Sequence, residues 1–122
     1  LGLMQVMPST GKMVARKKGI AFRSTQLQQA EYNVAIGAHY YRDLLDRFSQ
    51  HRPKALAGYN AGPHRVRRWV DSEVPTDQWI ESLPFKETRE YVQNVLAYAV
   101  IYDQRAGREP ELLRQNELTT HP

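Results

Sequence analysis

The sequence predicts an all-α domain, and three observations carry that reading. Apolar residues recur at spacings of three and four over two long stretches, Glu31 to Phe48 and Lys86 to Arg105, as they do on one face of an amphipathic helix. No stretch alternates with period two for long enough to make a strand. Apart from Gly37, glycine and proline fall outside the periodic stretches, where helices stop and restart.

Taken in order, Pro8-Ser9-Thr10 offers a helix cap, and Lys12 to Lys18 reads as a short basic helix ending at Gly19. Gly19 to Gln29 is polar and irregular, a surface loop with one turn near Gln26. Glu31 to Phe48 is the first strong helix, with Gly37, Tyr40, Tyr41, Leu44, Leu45 and Phe48 along one face. Pro53 suits the first turn of a second helix through Ala55, Leu56, Ala57 and Tyr59. Asn60-Ala61-Gly62-Pro63 ends that helix and starts another, which closes near Trp69-Val70. Asp71 to Thr76 is a loop, and Asp77 is expected to cap a short helix, Gln78 to Ser82, before Pro84 breaks the chain. The last helix spans Lys86 to Arg105, with Tyr91, Val92, Val95, Leu96, Ala99 and Tyr102 expected on its buried side. Gly107 ends it, and Arg108 to Pro122 reads as a polar, frayed C-terminal tail.

Composition narrows the function classes. The 122 residues make one domain, with 41% hydrophobic and 25% charged residues, as in ordinary soluble proteins. No apolar run approaches the roughly 18 residues of a membrane span. Leu1-Gly2-Leu3-Met4 has neither a basic n-region nor a cleavage site and reads as the interior of a longer polypeptide. Without cysteine there are no disulfides, thiolate metal sites or thiol nucleophile. His39, His51, His64 and His121 are scattered, which favours structural roles over a metal site. The net charge of +4 is compatible with anionic partners, but mixed-sign charge along the chain makes a solvated surface the simpler account. The clusters Arg16-Lys17-Lys18 and His64-Arg65-Arg67-Arg68 read the same way, with attraction to an anionic wall polymer as the alternative. Trp69 and Trp79 are core anchors on the simpler reading, or platforms for sugar rings.

Three segments, Gly2-Leu3-Met4-Gln5-Val6-Met7-Pro8-Ser9-Thr10, Ala57-Gly58-Tyr59-Asn60-Ala61-Gly62-Pro63 and Leu83-Pro84-Phe85-Lys86-Glu87-Thr88-Arg89-Glu90-Tyr91-Val92, together resemble the catalytic domain of the soluble lytic murein transglycosylases. Asn33-Val34-Ala35-Ile36-Gly37-Ala38-His39-Tyr40 resembles a further helix of that family. Each motif is short, but their order and spacing argue against coincidence. Gly58 stands where many members carry alanine.

The resemblance implies a lysozyme-like helical fold, with residues 1–107 as a catalytic domain lacking its first helix or helices and 108–122 as a tail. It implies cleavage of the MurNAc–GlcNAc β-1,4 bond of peptidoglycan, with the substrate's own 6-hydroxyl closing a 1,6-anhydro ring. A carboxylic acid must protonate the leaving oxygen in such a reaction. In the family that acid is a glutamate in a Glu-Ser motif shortly before the first segment, so the expectation is that it precedes Leu1 and that these 122 residues alone are inactive. No metal or cofactor is implied. The implied partner is the peptidoglycan glycan strand, the implied setting the periplasm or cell envelope, and any membrane attachment would come through upstream segments.

Within the chain the resemblance singles out Tyr59, whose phenol at a helix end can support the glutamate or bond the sugar as charge develops; a core tyrosine is the alternative. Gln5 and Met7 would line the cleft, Gln5 through its two-sided amide and Met7 as an apolar contact or simply as core filler. Asn60 has equal claims as a sugar ligand and as a turn residue. Glu87 gains from its helix N-terminus and is assigned to binding or support. Tyr91, one turn on, can brace Glu87 or fill the core. The competing functions are a goose-type lysozyme-like hydrolase, using water as nucleophile, and a non-catalytic peptidoglycan-binding remnant. A nucleic-acid binder would leave the motifs without explanation.

Overall fold

The computed structural model describes residues 30–121. The expected basic helix at Lys12 to Lys18, the loop after it, and Gln5 and Met7 lie outside the described residues. Five α-helices are described: α1 (Ala30–Arg47), α2 (Arg52–Ala61), α3 (Pro63–Trp69), α4 (Thr76–Ser82) and α5 (Lys86–Arg105), followed by a 3-10 turn at Gln115–Glu117. The chain forms two compact units, residues 1–43 and 44–122. Of the first, the described part is the N-terminal stretch of α1, in which Asn33, Ile36 and Gly37 are buried at helical spacing while Val34 and Ala35 are exposed.

In the second unit α1 stops where Ser49 (φ 55°) and Gln50 (φ 64°) both take the left-handed conformation. That conformation is uncommon for residues with a side chain. The turn is held by Gln50 N–H donating to the Leu45 carbonyl (2.7 Å) and Gln50 Nε2 donating to Asp46 (3.0 Å). His51 then caps α2, its Nδ1 accepting from the Lys54 amide at 3.2 Å, and Pro53 occupies the first turn. Residues Arg52 to Gly58 of α2 are all buried, which makes this helix the centre of the unit. It packs against α3 and α5, and α4 packs against α5. At Gly58 the end of α1 comes close to α2: a Cβ there would sit 3.3 Å from Phe48 Cε2 and 3.6 Å from Leu44 Cδ2.

Gly62 joins α2 to α3 at φ 95°, ψ 140°, a conformation that L side chains rarely adopt, and Pro63 opens α3. Val66, Trp79, Ile80, Leu83, Val92 and Leu96 complete the core with Leu44, Ala55, Leu56 and Ala57. The bounds of α5 and the Asn60-Ala61-Gly62-Pro63 joint agree with the sequence reading.

Three expectations are corrected. Asp77 does not cap a helix starting at Gln78; α4 begins at Thr76, and Asp77 sits within its first turn. The cause lies before it, where Pro75 bridges Thr119 and the Thr76 amide donates to the Leu118 carbonyl at 2.9 Å, pinning the chain two residues earlier. Tyr102 is 67% exposed and not buried, as is Tyr98 at 68%. With 20 residues α5 outruns the 10-residue α2 and the 7-residue α4 that pack on it in this unit. Arg108 lies over the Tyr102 ring instead, 5.4 Å from its centre.

The third correction is the tail. It is not frayed: Glu117 and Thr120 are fully buried. The Glu117 carboxylate accepts from the Arg52 amide (3.0 Å), Arg52 Nε (2.7 Å), Arg52 Nη2 (2.8 Å) and the Arg114 amide (2.7 Å). An anion at the first turn of α2 also meets the positive end of that helix. Thr120 pairs with the loop before α4, exchanging backbone and hydroxyl hydrogen bonds with Val74 and donating to the Ser72 carbonyl. His51 joins the two regions, since with Nδ1 accepting, its Nε2–H is shared between the Thr119 carbonyl (3.1 Å) and the Thr76 hydroxyl (3.3 Å). A polar segment folds here because each buried polar group finds a partner.

Candidate functional site

The C-terminal end of α2 meets the N-terminal end of α5, and four of the residues singled out in the sequence converge there. Tyr59 and Asn60 come from the last turn of α2, placed by the Gly62 joint that follows. Glu87 and Tyr91 come from the first two turns of α5. The rings of Tyr59 and Tyr91 stack with centroids 6.3 Å apart and planes 10° from parallel. Asn60 Oδ1 accepts from the Thr88 hydroxyl at 2.7 Å, and Asn60 Nδ2 points to Glu87 Oε1 at 3.5 Å, the long limit of a hydrogen bond. One amide thus ties the two helix ends together and fixes its own orientation by having a donor on one side and an acceptor on the other.

Thr88, 1% exposed, is the residue that sequence reasoning missed. It stands beside Glu87 in the third motif, and a hydroxyl on the buried side of an amphipathic helix is the signal that marks it. Glu87 is exposed, at the positive end of α5, where a carboxylate is favoured. Burial raises the Tyr91 phenol above its ordinary pKa, so it stays a neutral donor at physiological pH. The site therefore presents two phenols, an amide and a carboxylate on two rigid helix ends. Such groups can bond hydroxyl and acetamido groups and stabilise charge that develops on them. Among the described residues no group of His, Asp or Glu is assembled to hold a metal ion.

The supporting shell is aromatic and cationic. Phe85, just before α5, meets Trp69 edge to face with centroids 5.4 Å apart, and Arg65 lies 5.1 Å over the Phe85 ring. Arg89 Nη1 donates to the Leu83 carbonyl at 2.6 Å, holding the Pro84 turn against α5. Trp79 is a core residue, 3% exposed, and its indole N–H donates to the Trp69 carbonyl at 3.0 Å. His64, Arg67 and Arg68 are solvated on the outer face of α3.

Comparison with known proteins fits this geometry. Residues 1–81 match the Transglycosylase SLT domain, and residues 82–111 match the Soluble lytic transglycosylase helical domain. The chain is 39% identical over 121 residues to the soluble lytic murein transglycosylase of Escherichia coli K12 and 35% identical over 122 residues to a putative one of Haemophilus influenzae, covering 95% and 96% of this chain. It spans only 19% and 21% of those relatives. Among solved structures it is similar to an inactive glutamate-to-glutamine mutant of lytic transglycosylase Slt from Pseudomonas aeruginosa (44% identity, TM-score 0.90, 97% of this chain and 20% of that one). It is also similar to the 70-kDa soluble lytic transglycosylase of Escherichia coli (38% identity, TM-score 0.89, 96% of this chain and 20% of that one). The all-α, lysozyme-like fold and the sequence motifs thus have one common explanation, and the chain belongs to the transglycosylase SLT domain family.

Proposed function

We propose that the chain is part of a peptidoglycan lytic transglycosylase, cleaving the MurNAc–GlcNAc β-1,4 bond and leaving a 1,6-anhydro-MurNAc end. The observation that carries this reading is the convergence of Tyr59, Asn60, Glu87 and Tyr91 from two separated motifs onto one pair of helix ends. On this reading a glutamate in a Glu-Ser motif on the N-terminal side of Gly2-Leu3-Met4-Gln5 protonates the leaving oxygen and then takes the proton from the attacking 6-hydroxyl. The inactive glutamate-to-glutamine mutant of the Pseudomonas aeruginosa relative supports such an acid. Tyr59 bonds that acid or the sugar as charge develops. Asn60, Glu87 and Tyr91 hold and orient the glycan, with Gln5 and Met7 as further walls of the cleft. The complex of a 70-kDa soluble lytic transglycosylase with bulgecin A is consistent with a ligand cleft on this fold. The substrate places the enzyme in the periplasm or at the cell envelope.

The test is Tyr59→Phe in the full-length protein. The ring keeps its stack on Tyr91, while loss of one hydrogen bond aimed at the transition state should cost about 10- to 1,000-fold in turnover. Melting should change by less than about 1 kcal/mol. Mass spectrometry of the products reads the reaction type, because an anhydro end is lighter by one water than a hydrolysed one. Hydrolysed ends would favour the goose-type reading, and unchanged turnover would return Tyr59 to the core.

A further inference from the structure

A hollow of about 270 Å³ lies at the end of α2 opposite to Tyr59 and Asn60 and takes no part in the site described above. Three cations from three elements line it: Arg47 from the end of α1, Lys54 from α2 and Arg67 from α3. Among the described residues no acidic side chain lines it. The ion pairs of the described residues, Arg52–Glu117, Lys86–Glu90 and Arg108–Asp103, include none of the three. Lys54 is only 6% exposed, and its ammonium donates to the His121 carbonyl at 2.8 Å, a neutral acceptor.

A buried ammonium in a hollow that two arginines also line, with no acidic side chain among the described residues of its walls, is an arrangement that an anion stabilises. Burial already lowers the Lys54 pKa, the sign of a charge short of compensation. Guanidinium groups accept carboxylates and phosphates through paired N–H donors. The remaining walls choose between those two. Phe48 and Val70 give the hollow an apolar side, and Ser49 adds one hydroxyl. A bare phosphate leaves the apolar side unused, whereas the last residue of a peptide sets its carboxylate on the cations and its alkyl group against Phe48 and Val70. At roughly 30 Å³ for each water-sized group, 270 Å³ holds about nine such groups, the size of one or two small residues.

We propose that this hollow binds the terminal carboxylate of a short peptide with small side chains. The stem peptides of peptidoglycan are such ligands; that source rests on the proposed function, but the site itself does not.

Isothermal titration of the full-length protein with N-acetyl-alanyl-alanine and with its C-terminal amide tests the proposal without any turnover. The acid should bind, and the amide should bind at least about tenfold more weakly, the scale of one charge-assisted hydrogen bond. Arg47→Gln with Arg67→Gln, both at exposed positions where folding is not at stake, should weaken the acid by a further factor of about ten or more. Cleavage of peptide-free glycan strands by the same double variant should stay within about twofold of wild type, which separates this site from that of Tyr59. Equal binding of acid and amide, no binding of either, or unchanged affinity in the double variant would overturn the proposal. So would inorganic phosphate that binds more tightly than the peptide acid, or loss of glycan cleavage in the double variant.

Discussion

Replacing Glu117 by glutamine removes one charge from a carboxylate that is 0% exposed and accepts four hydrogen bonds. The amide keeps the shape but turns one of its two acceptor atoms into a donor facing other donors. Arg52, its side chain 11% exposed, then no longer faces the Glu117 charge. Breaking a buried pair from one side costs about 3–5 kcal/mol. With an unfolding entropy of about 2.1 cal/mol/K per residue, 122 residues give roughly 0.26 kcal/mol/K, so Tm should fall by about 12–20 °C. Burial by itself pushes the Glu117 carboxyl up, but the Arg52 side chain, the Arg114 and Arg52 amides and the Arg52 charge outweigh it and hold the pKa below the ordinary 4.5. A depressed folded pKa means the contribution is complete above pH 4.5 and is lost as pH falls through the lower folded value. Urea unfolding of wild type and Glu117→Gln should therefore differ most at pH 7 and converge in strong acid. Replacing both partners, Arg52→Met with Glu117→Leu, should recover most of the loss, since no charge is left stranded. A loss under about 1 kcal/mol at pH 7, or a double variant as unstable as the two single losses summed, would refute the reasoning.

His51→Ala should cost about 1–3 kcal/mol through the lost cap and the stranded Thr119 carbonyl. Burial, and then the Lys54 charge, lower the His51 pKa below 6.5, so wild-type stability should decline as pH falls from 6.5 through that lower value, a slope that urea titrations of the variant should lack. Gly62→Ala should cost about 1–3 kcal/mol by forcing a side chain into φ 95°, although no atom obstructs it, and denaturation should show the loss. Glu87→Gln in the full-length protein should leave measurable anhydro-product release, well above that of a variant lacking the general acid; equal, complete loss in both would promote Glu87 to the chemistry.

The parts of the fold legible in the sequence are those decided locally. The bounds of α5 follow from Pro84 and Gly107, and the α2–α3 joint follows from the left-handed tolerance of Gly62 and the preset φ of Pro63. Tyr59, Asn60, Glu87 and Tyr91 were legible only through their motifs, because nothing in either helix alone says that it meets the other. The tail was illegible for a similar reason. Glu117 looks like any surface glutamate in a polar run, and only its pairing with Arg52, 65 residues away, makes burial favourable. Leu112 is exposed, and it is its carbonyl that accepts from Arg52. Asp77 misled because a good capping residue was outbid by a backbone pairing made elsewhere in the chain.

That distance also sets a timetable for synthesis. Ribosomes extend chains at about 5–20 residues per second, so Glu117 follows Arg52 out by roughly 3–13 s. In that interval α2, the central helix of its unit, has its first turn made but not yet its anion. The nascent domain can gather α3, α4 and α5 around α2 before then, yet the cations at its head remain in need of water. Emergence of Glu117, and not completion of the helices, is the moment at which this unit can close, and a pause placed between codons 105 and 117 should prolong protease sensitivity without altering the finished protein.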